Sequence, residues 1–581
     1  MEKRLIICLS LIFVLTVAMS AFAEGKATNY ADMILFNGKI YTVDKDFSKA
    51  NAVAIKTGRF LAVGSNDVVS RYEGPETEKI DLKGLAAIPG LMDTHIHFTS
   101  RGGMLTEKMS RNTVESILEQ IKEKVSKAKP GEWINTPYFW GFDKKLPAKV
   151  IDTVSPDNQV HMCGGAPHKG IMNSKAMEAL GIRKGAKIDG GGFDVDENGE
   201  PTGIVRGYAN VLGMQYYRDS WKNVIAGRRP SSPPFSVETY KERIRAAMKE
   251  VNMFGLTSIN QQGANFTECR AFREIASAGE STVRAQADIW MMIFDYIPLK
   301  EIDEYVKQLS FITHKGLGDE WFKISGIKSI YDGASSMYDF EDMRLASPKR
   351  FKEFAEIVAK HGLRLVVHAH GDRAIDHLLD AYEYAHKRYP IDKMRWTALH
   401  HSFPTPDDYP RIKKMGLVVN SQPMFIHTNY FGDYVKKNPK LENIYYPNRS
   451  ELEAGIKVGF SSDCTSLTFD PFIGIQIAVT RKAPLGKNKG WVVNEKEKIS
   501  RRQALECYTI NNAYLMFEED VKGSIEPGKF ADMVVIDKDI MTVPEDDIRK
   551  INVEMTIVGG KVVYRHELGT KYPRHPYWSW L

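Results

Sequence analysis

Two histidines one residue apart, in Asp93-Thr-His95-Ile-His97, follow the phrase Ile88-Pro-Gly-Leu-Met92. In a strand, side chains i and i+2 share a face, so His95 and His97 can reach one metal ion together. Such a pair also occurs as ordinary surface or core histidines. Further positions shift the balance toward metal: His368 after Arg364-Leu-Val-Val367, His400 after Trp396-Thr-Ala-Leu399, and Asp463 after Lys457-Val-Gly-Phe-Ser-Ser462. Imidazoles with a carboxylate are a donor set for Zn²⁺ or a related divalent ion. Lys328 follows the apolar stretch Trp321–Ile327. A lysine is ordinarily a solvated charge, but one desolvated near metal is driven toward its neutral amine. That amine can take up CO₂ to form a carbamate, an oxygen ligand able to bridge two ions.

The elements that must position these residues are short apolar strands separated by helices. Strands are expected in the run that ends at Met92 and at Leu256–Asn260, Val283–Trp290, Trp321–Ile327, Arg364–Val367, Trp396–Leu399, Leu417–Asn420 and Lys457–Phe460. Between them, Ser347-Pro348 opens a helix with Phe351, Phe354, Ala355 and Val358 on one face and Gly362 as its stop. Ile375, Leu378, Leu379 and Tyr382 repeat that spacing. Eight βα units closing on themselves make an α/β (β/α)8 TIM barrel, whose active sites lie at the C-terminal strand ends, where the candidate ligands fall.

About 160 residues separate the first barrel strand from Leu256, too many for one connection, so residues 104–235 are an insertion. Strand signals at both ends of the chain, including the Thr57-Gly58 hairpin turn and Ala531–Ile536, predict a small β-sandwich-like domain formed from both termini. The expected division is 1–23 signal peptide, 24–88 N-terminal part of the β domain, 89–103 first barrel strand, 104–235 insertion, 236–515 rest of the barrel, and 516–581 C-terminal part of the β domain and tail.

Composition is that of a folded globular chain, 43% hydrophobic and 26% charged over 581 residues, which excludes general disorder. A net charge of +6 without a basic run gives no support to nucleic-acid binding. Lys3-Arg4, the apolar run Leu5–Val17 and Ala21-Phe22-Ala23 have the anatomy of a secretory signal peptide. Export to the periplasm or beyond is expected, with a mature start near Glu24 and no stable membrane span afterwards; an uncleaved anchor is the alternative. Cys163, Cys269, Cys464 and Cys507 form no disulfide framework, and no C-x-x-C offers a cysteine zinc site. Gly190-Gly-Gly192 lacks the strand-then-helix setting of a phosphate loop. The tail Pro576–Leu581 reads as aromatic packing onto its own domain before a membrane or dimer contact.

The ordered set His95-x-His97, Lys328, His368, His400, Asp463 resembles the amidohydrolase superfamily of metal-dependent hydrolases. Ile88–His97 is similar to the family's first-strand motif, and Gly523-Ser-Ile-Glu-Pro-Gly-Lys-Phe-Ala-Asp-Met-Val-Val-Ile536 to its C-terminal signature. His368-Ala-His-Gly-Asp-Arg-Ala374, Lys328-Ser-Ile-Tyr-Asp-Gly333, Asn173-Ser-Lys-Ala176 and Gly199-Glu-Pro-Thr-Gly203 are similar to the amidohydrolase-3 branch, which includes N-substituted formamide deformylase-like enzymes. The chain departs from that pattern in four places. Arg206-Gly207 stands where a Glu is commonly reached, Leu399 where Glu commonly precedes the sixth-strand histidine, His370 where an apolar residue is usual, and His401 directly follows His400. Either of the last two adjacent histidines can be the sixth-strand ligand.

The resemblance implies one or two divalent ions, Zn²⁺ first among them, held by His95, His97, Lys328 (as a carbamate where two ions bind), His368, His400 and Asp463. Bound metal lowers the pKa of water from 15.7 to roughly 7 and polarises a carbonyl. Asp463 is the expected general base, with His368 or His400 as oxyanion donor if a single ion is present. His168, Trp140 and Asp143 are candidate substrate-lining residues, and Asp470 and Arg481 weaker ones, each with a structural role as the alternative. The expected activity is hydrolysis of a C–N bond in a small-molecule amide, formamide or cyclic amide. An isomerase or lyase on the same scaffold, or an inactive secreted binding protein, are the alternatives. A homo-oligomer is left open.

Overall fold

The computed structural model describes residues 30–99, 113–137, 146–163, 169–214, 236–332, 344–427, 431–464, 468–486, 488–567 and 569–571. The expected signal peptide, the candidate lining residues Trp140, Asp143 and His168, and the tail Pro576–Leu581 lie outside the described residues.

Eight parallel strands form the central sheet in chain order: β1 (Leu91–Ile96), β2 (Leu256–Ala264), β3 (Arg284–Trp290), β4 (Phe322–Ile330), β5 (Leu365–Ala369), β6 (Thr397–His400), β7 (Val418–Ser421) and β8 (Lys457–Phe460). The last and first strands meet just past their ends. Ile96 bridges Cys464, Asp463 N donates to His95 O at 2.8 Å, and His97 N donates to Cys464 O at 2.6 Å. Asn512 ties the same seam, since its Nδ2 donates to Met92 O at 2.8 Å and Phe460 O at 2.7 Å. The result is the expected TIM barrel. Its outer helices follow the expected pattern: Pro348–Lys360 is capped by Ser347 Oγ on Arg350 N at 3.2 Å and buries Phe351, Phe354, Ala355 and Val358. Asp372–His386 buries Ile375, Leu378, Leu379 and Tyr382.

Both termini build one β sandwich. One sheet holds Met33–Phe36, Ala52–Lys56, Arg59–Gly64 and Glu78–Asp81; the other joins Lys39–Tyr41, Lys49–Ala50 and Ala86–Pro89 to Met533–Ile536, Val553–Val558 and Lys561–Arg565. Ala86–Pro89 runs antiparallel to Met533–Ile536 with Ile88 opposite Val534, and Leu35, Ile55, Phe60, Ala87, Met533, Val535 and Ile557 share the core between the sheets. The hairpin turn at Thr57-Gly58 has φ of 48° and 76°, the left-handed pair that a two-residue turn requires. The chain then passes from sandwich to barrel through Gly90, where a Cβ would meet Thr257 Oγ1 at 2.1 Å. Only glycine lets β1 start that close to β2.

The insertion folds as a unit with its own core. A five-stranded sheet runs in the order Gly191–Val195, Pro201–Gly207, Lys169–Met172, Val160–Cys163, Ile134–Pro137. Helices Val114–Ser126 and Ala148–Asp152 cover it, with Ile117, Ile121, Leu146, Ile151, Val160 and Ile171 buried between. Gly190-Gly-Gly192 is the entry to an edge strand, where a Cβ on Gly191 would meet Ala209 N at 2.3 Å. The four described cysteines are all free and buried. Among the described residues, no helix is long and apolar enough to cross a membrane.

Candidate metal centre

The strand ends place the expected residues as follows. His95 is the fifth residue of β1, and His97 lies just beyond it on the same face. Both approach one carboxylate oxygen: His95 Nε2 is 3.0 Å and His97 Nε2 3.2 Å from Asp463 Oδ1. These are hydrogen-bond spacings, and they are also close to the roughly 3.3 Å that separates two ligands on one tetrahedral zinc; His97 itself falls in neither of the groups of three that could hold an ion. Burial pushes the Asp463 carboxyl up, but His95 and His97 outweigh it and hold the group well below the usual carboxylate range. Burial lowers His95 to about 4 against the pull of Asp463, which keeps its ring neutral, the form that binds metal.

The opposite wall comes from β4, β5 and β6. His368 lies in β5, beside Ile330 of β4 and Leu399 of β6. His400 ends β6; its Nδ1 lies 2.6 Å from Gln422 Oε1, while Gln422 Nε2 donates to Asn420 Oδ1 at 3.0 Å and Ser461 Oγ at 2.8 Å. These donations fix Oε1 as the atom facing the ring. An amide oxygen only accepts, so Nδ1 carries the proton and Nε2 keeps its lone pair. That buried Nε2 has no hydrogen-bond partner. Burial holds His400 well below the usual histidine range, so it is suited to ligate rather than to donate. Ring nitrogens of His95 and His400 and a carboxylate oxygen of Asp463 lie within 4.8 Å of one another, as do ring nitrogens of His368, His370 and His400. His401, the other sixth-strand candidate, has its Nδ1 2.6 Å from Glu451 Oε1, with both side chains fully buried, and belongs to neither group.

Lys328 stands inside β4, which runs to Ile330 rather than ending at Ile327. Its Nζ is buried without a hydrogen-bond partner. Burial pushes the ammonium down to about 7, against the pull of Asp463, Asp288 and Asp332. A substantial fraction is therefore neutral amine near neutral pH, which is the state that could take up CO₂.

Several residues at the site carry no signal in one-dimensional spacing. Asp332, just past β4, receives the amides of His370 and Gly371 on Oδ2 at 2.9 and 3.1 Å, while its Oδ1 lies 3.3 Å from His368 Nε2. Burial lifts its carboxyl to about 7. Asp93 Oδ1 receives His95 N at 3.2 Å and Ser462 N at 3.1 Å, joining the ends of β1 and β8. The backbone is strained at this rim: His400, His401 and Asp463 have φ of 71°, 48° and 52°. Left-handed conformations at non-glycine residues cost on the order of 1–3 kcal/mol each and persist where the surroundings impose them.

The two weaker candidates have structural work. Asp470 caps the helix Pro471–Thr480 by receiving Phe472 N at 3.0 Å. Arg481 is fully buried, and its guanidinium donates to the carbonyls of Tyr445, Tyr446 and Val493, each at 3.0 Å.

The donor set fits a divalent ion, because buried imidazole lone pairs and a charged carboxylate face one another at ligand spacing. A family profile described as Amidohydrolase family matches residues 78–564. The chain is 26% identical over 565 residues to N-substituted formamide deformylase of Arthrobacter pascens, spanning 92% of this chain and 99% of that protein. It is 27% identical over 565 residues to Protein LONG AFTER FAR-RED 3 of Arabidopsis thaliana, spanning 92% of each. Among solved structures, a metal-dependent hydrolase from Pyrococcus horikoshii superposes with a TM-score of 0.58 at 21% identity, over 88% of this chain and 99% of that one. One from Pyrococcus furiosus gives 0.57 at 24% identity, over 88% and 100%. With a profile that matches residues 78–564, the chain belongs to the amidohydrolase family.

Proposed function

We propose that this protein is an exported, metal-dependent hydrolase of a C–N bond in a small amide, formamide or cyclic amide. The observation that carries the reading is the approach of His95 and His97 Nε2 to one oxygen of Asp463, facing the uncapped Nε2 of His400 across the barrel mouth. A divalent ion held there would acidify water and polarise a carbonyl.

The chain's own groups supply the rest. Asp463 uses Oδ1 toward His95 and His97, which leaves Oδ2 to take a proton from the attacking water and return it to the leaving nitrogen. The burial of His95, His368 and His400 excludes bulk water and strengthens every charge interaction at the mouth. Gln422 holds His400 in one tautomer through the reaction. The similarity to N-substituted formamide deformylase supports N-formyl compounds as the first class to assay.

The experiment is metal analysis of protein purified without chelator, combined with a screen of N-formyl, N-acyl and cyclic amides for release of amine or carboxylate. Near-stoichiometric divalent metal is expected, with turnover that chelator abolishes and zinc restores. Metal-free protein, or turnover indifferent to a strong chelator, would sink the reading. Export is tested by N-terminal sequencing of the extracytoplasmic fraction, where Glu24 should be at or near the first residue; an intact 1–23 segment on a cytoplasmic pool contradicts it.

A further inference from the structure

Tyr446 lies on the connection between β7 and β8 and is fully buried. Its N donates to Ser402 O at 2.8 Å, two residues past His400, and Asp463 acts on its phenol electrostatically. The hydroxyl lies beside Ser402, whose Oγ is 2.6 Å from His370 Nδ1, yet it makes no hydrogen bond of acceptable geometry to any described residue. Its neighbour Tyr445 shows the ordinary outcome, with a hydroxyl that donates to Phe425 O at 3.0 Å. Tyr305 and Tyr508 also leave hydroxyls unpaired, but on the regular outer helices Leu299–Gln308 and Arg501–Tyr508. Tyr446 instead has a left-handed φ of 47°, which persists only where the surroundings impose it. Arg481, itself left-handed at φ 55°, imposes it: Nη1 donates to Tyr446 O, Nη2 to Tyr445 O and Nε to Val493 O. Among the described residues this buried guanidinium meets three carbonyls and no carboxylate, so its contacts fix the backbone of the two tyrosines rather than neutralise a charge.

We propose that the Tyr446 hydroxyl is a catalytic hydrogen-bond donor to the carbonyl oxygen of the substrate, and that Arg481 and Ser402 are its positioning residues. The proposal rests on the hydrolase reading above and adds a group to it. As water attacks, its oxygen bonds to the carbonyl carbon and the π pair moves onto the carbonyl oxygen; when the C–N bond breaks, that pair returns. A donor aimed at this oxygen strengthens its bond as the charge grows and keeps its own proton throughout. Of the two side chains expected in this role, His400 has only a lone pair to offer on Nε2, and His368 Nε2 lies 3.3 Å from Asp332 Oδ1. Burial holds the Tyr446 phenol well above the usual tyrosine range, with Asp463 and Glu451 acting in the same sense against Ser402, so the group stays a neutral donor. A buried donor left unpaired in the resting protein is a stability cost that a bound oxygen removes.

Zinc-loaded wild type, Tyr446→Phe, Ser402→Ala and Arg481→Lys are compared in metal content, melting temperature, steady-state kinetics on the amide that wild type turns over fastest, and affinity for methylphosphonate, a tetrahedral oxyanion. Tyr446→Phe should hold the same metal and melt no lower than wild type, because it deletes only an unpaired hydroxyl. Its kcat should fall ~100–1000-fold, the cost of one oxyanion donor, with KM changed far less. Methylphosphonate should bind about 10–100-fold more weakly, as expected for a lost hydrogen bond to a charged group. Arg481→Lys should lower kcat in the same sense, and combined with Tyr446→Phe it should lose little beyond Tyr446→Phe alone, which a merely structural role would not produce. Ser402→Ala carries the same comparison if Arg481→Lys fails to fold. Near-normal kcat, unchanged methylphosphonate affinity or a markedly lower melting temperature in Tyr446→Phe would overturn the proposal. Wild-type protein that turns over no amide would defeat the hydrolase reading, and the methylphosphonate comparison would still decide whether Tyr446 serves an oxyanion.

Discussion

Asp463 and His95 are joined twice across the seam where the barrel closes. Asp463 N donates to His95 O at 2.8 Å, and Asp463 Oδ1 lies 3.0 Å from His95 Nε2. The hydrogen bond that completes the barrel therefore also sets the distance between a carboxylate and an imidazole of the candidate centre. A fold that loses the seam loses the site, and the left-handed φ of 52° at Asp463 is held by this closure.

Asp463→Asn tests the proton transfer. Asn keeps an oxygen for His95 and His97 but cannot take a proton at neutral pH. At saturating zinc, kcat should fall by at least ~100-fold, the low end for general acid–base catalysis, with KM changed far less. Steady-state kinetics with a parallel metal count check this, and a metal-loaded variant with near-normal kcat would remove Asp463 as the base.

Gln422→Leu tests the orientation of His400. The change deletes the acceptor 2.6 Å from His400 Nδ1 and so releases the tautomer that leaves Nε2 as a lone pair. Metal affinity, read by chelator competition, should fall about 10–100-fold, the usual cost of removing a hydrogen bond behind a histidine ligand. Gln422→Glu keeps an acceptor and should retain most of the affinity.

The barrel and the proposed ligands were legible because both depend on local pattern. Eight apolar runs of strand length were visible, and His95, His97, His368, His400 and Asp463 each fall within or just after one of them. The rest depends on neighbours far apart in the chain. Gln422 follows β7, a strand with no candidate ligand, and matters only because β7 lies beside β6. Asn512 lies outside the barrel strands and gains its role by reaching the first and last of them. Lys328 reads as the close of the fourth strand, whereas β4 runs two residues further, through the polar Ser329 to Ile330. The insertion gave its length and not its sheet: its strands are short and Gly-rich or polar, as in Gly191–Val195, and their order does not follow the chain.

Asn512→Leu tests the seam from below. Asn512 Nδ2 serves two carbonyls, of Met92 and Phe460, and its Oδ1 receives Thr94 Oγ1 at 3.0 Å. Leucine has the same number of side-chain heavy atoms but cannot donate to the two buried carbonyls, at about 1–3 kcal/mol each, while Thr94 Oγ1 keeps Asn420 Nδ2 at 2.9 Å. Stability by denaturant titration should fall by roughly 2–5 kcal/mol on that scale, and metal affinity should fall with it because the seam sets the Asp463–His95 spacing. A destabilised variant with unchanged affinity would show that the ligands are held independently of closure.

The insertion should respond to acid through His161. This residue is fully buried in the strand Val160–Cys163, with Nε2 2.7 Å from Asn210 Oδ1, so the neutral ring donates there. Burial lowers its pKa from 6.5 to about 4. The unfolded chain therefore takes the proton more readily than the folded one. The stability this residue contributes is fully present above about pH 6.5 and is lost as pH falls through about 4, by roughly 3 kcal/mol at most. Calorimetric melting from pH 7 to pH 4 should show wild-type stability falling more steeply than that of His161→Gln, whose amide can still donate to Asn210 but does not titrate. Carboxylates elsewhere titrate in both proteins, so the difference between the two curves isolates the histidine. Parallel curves over that range would assign the acid sensitivity to other groups.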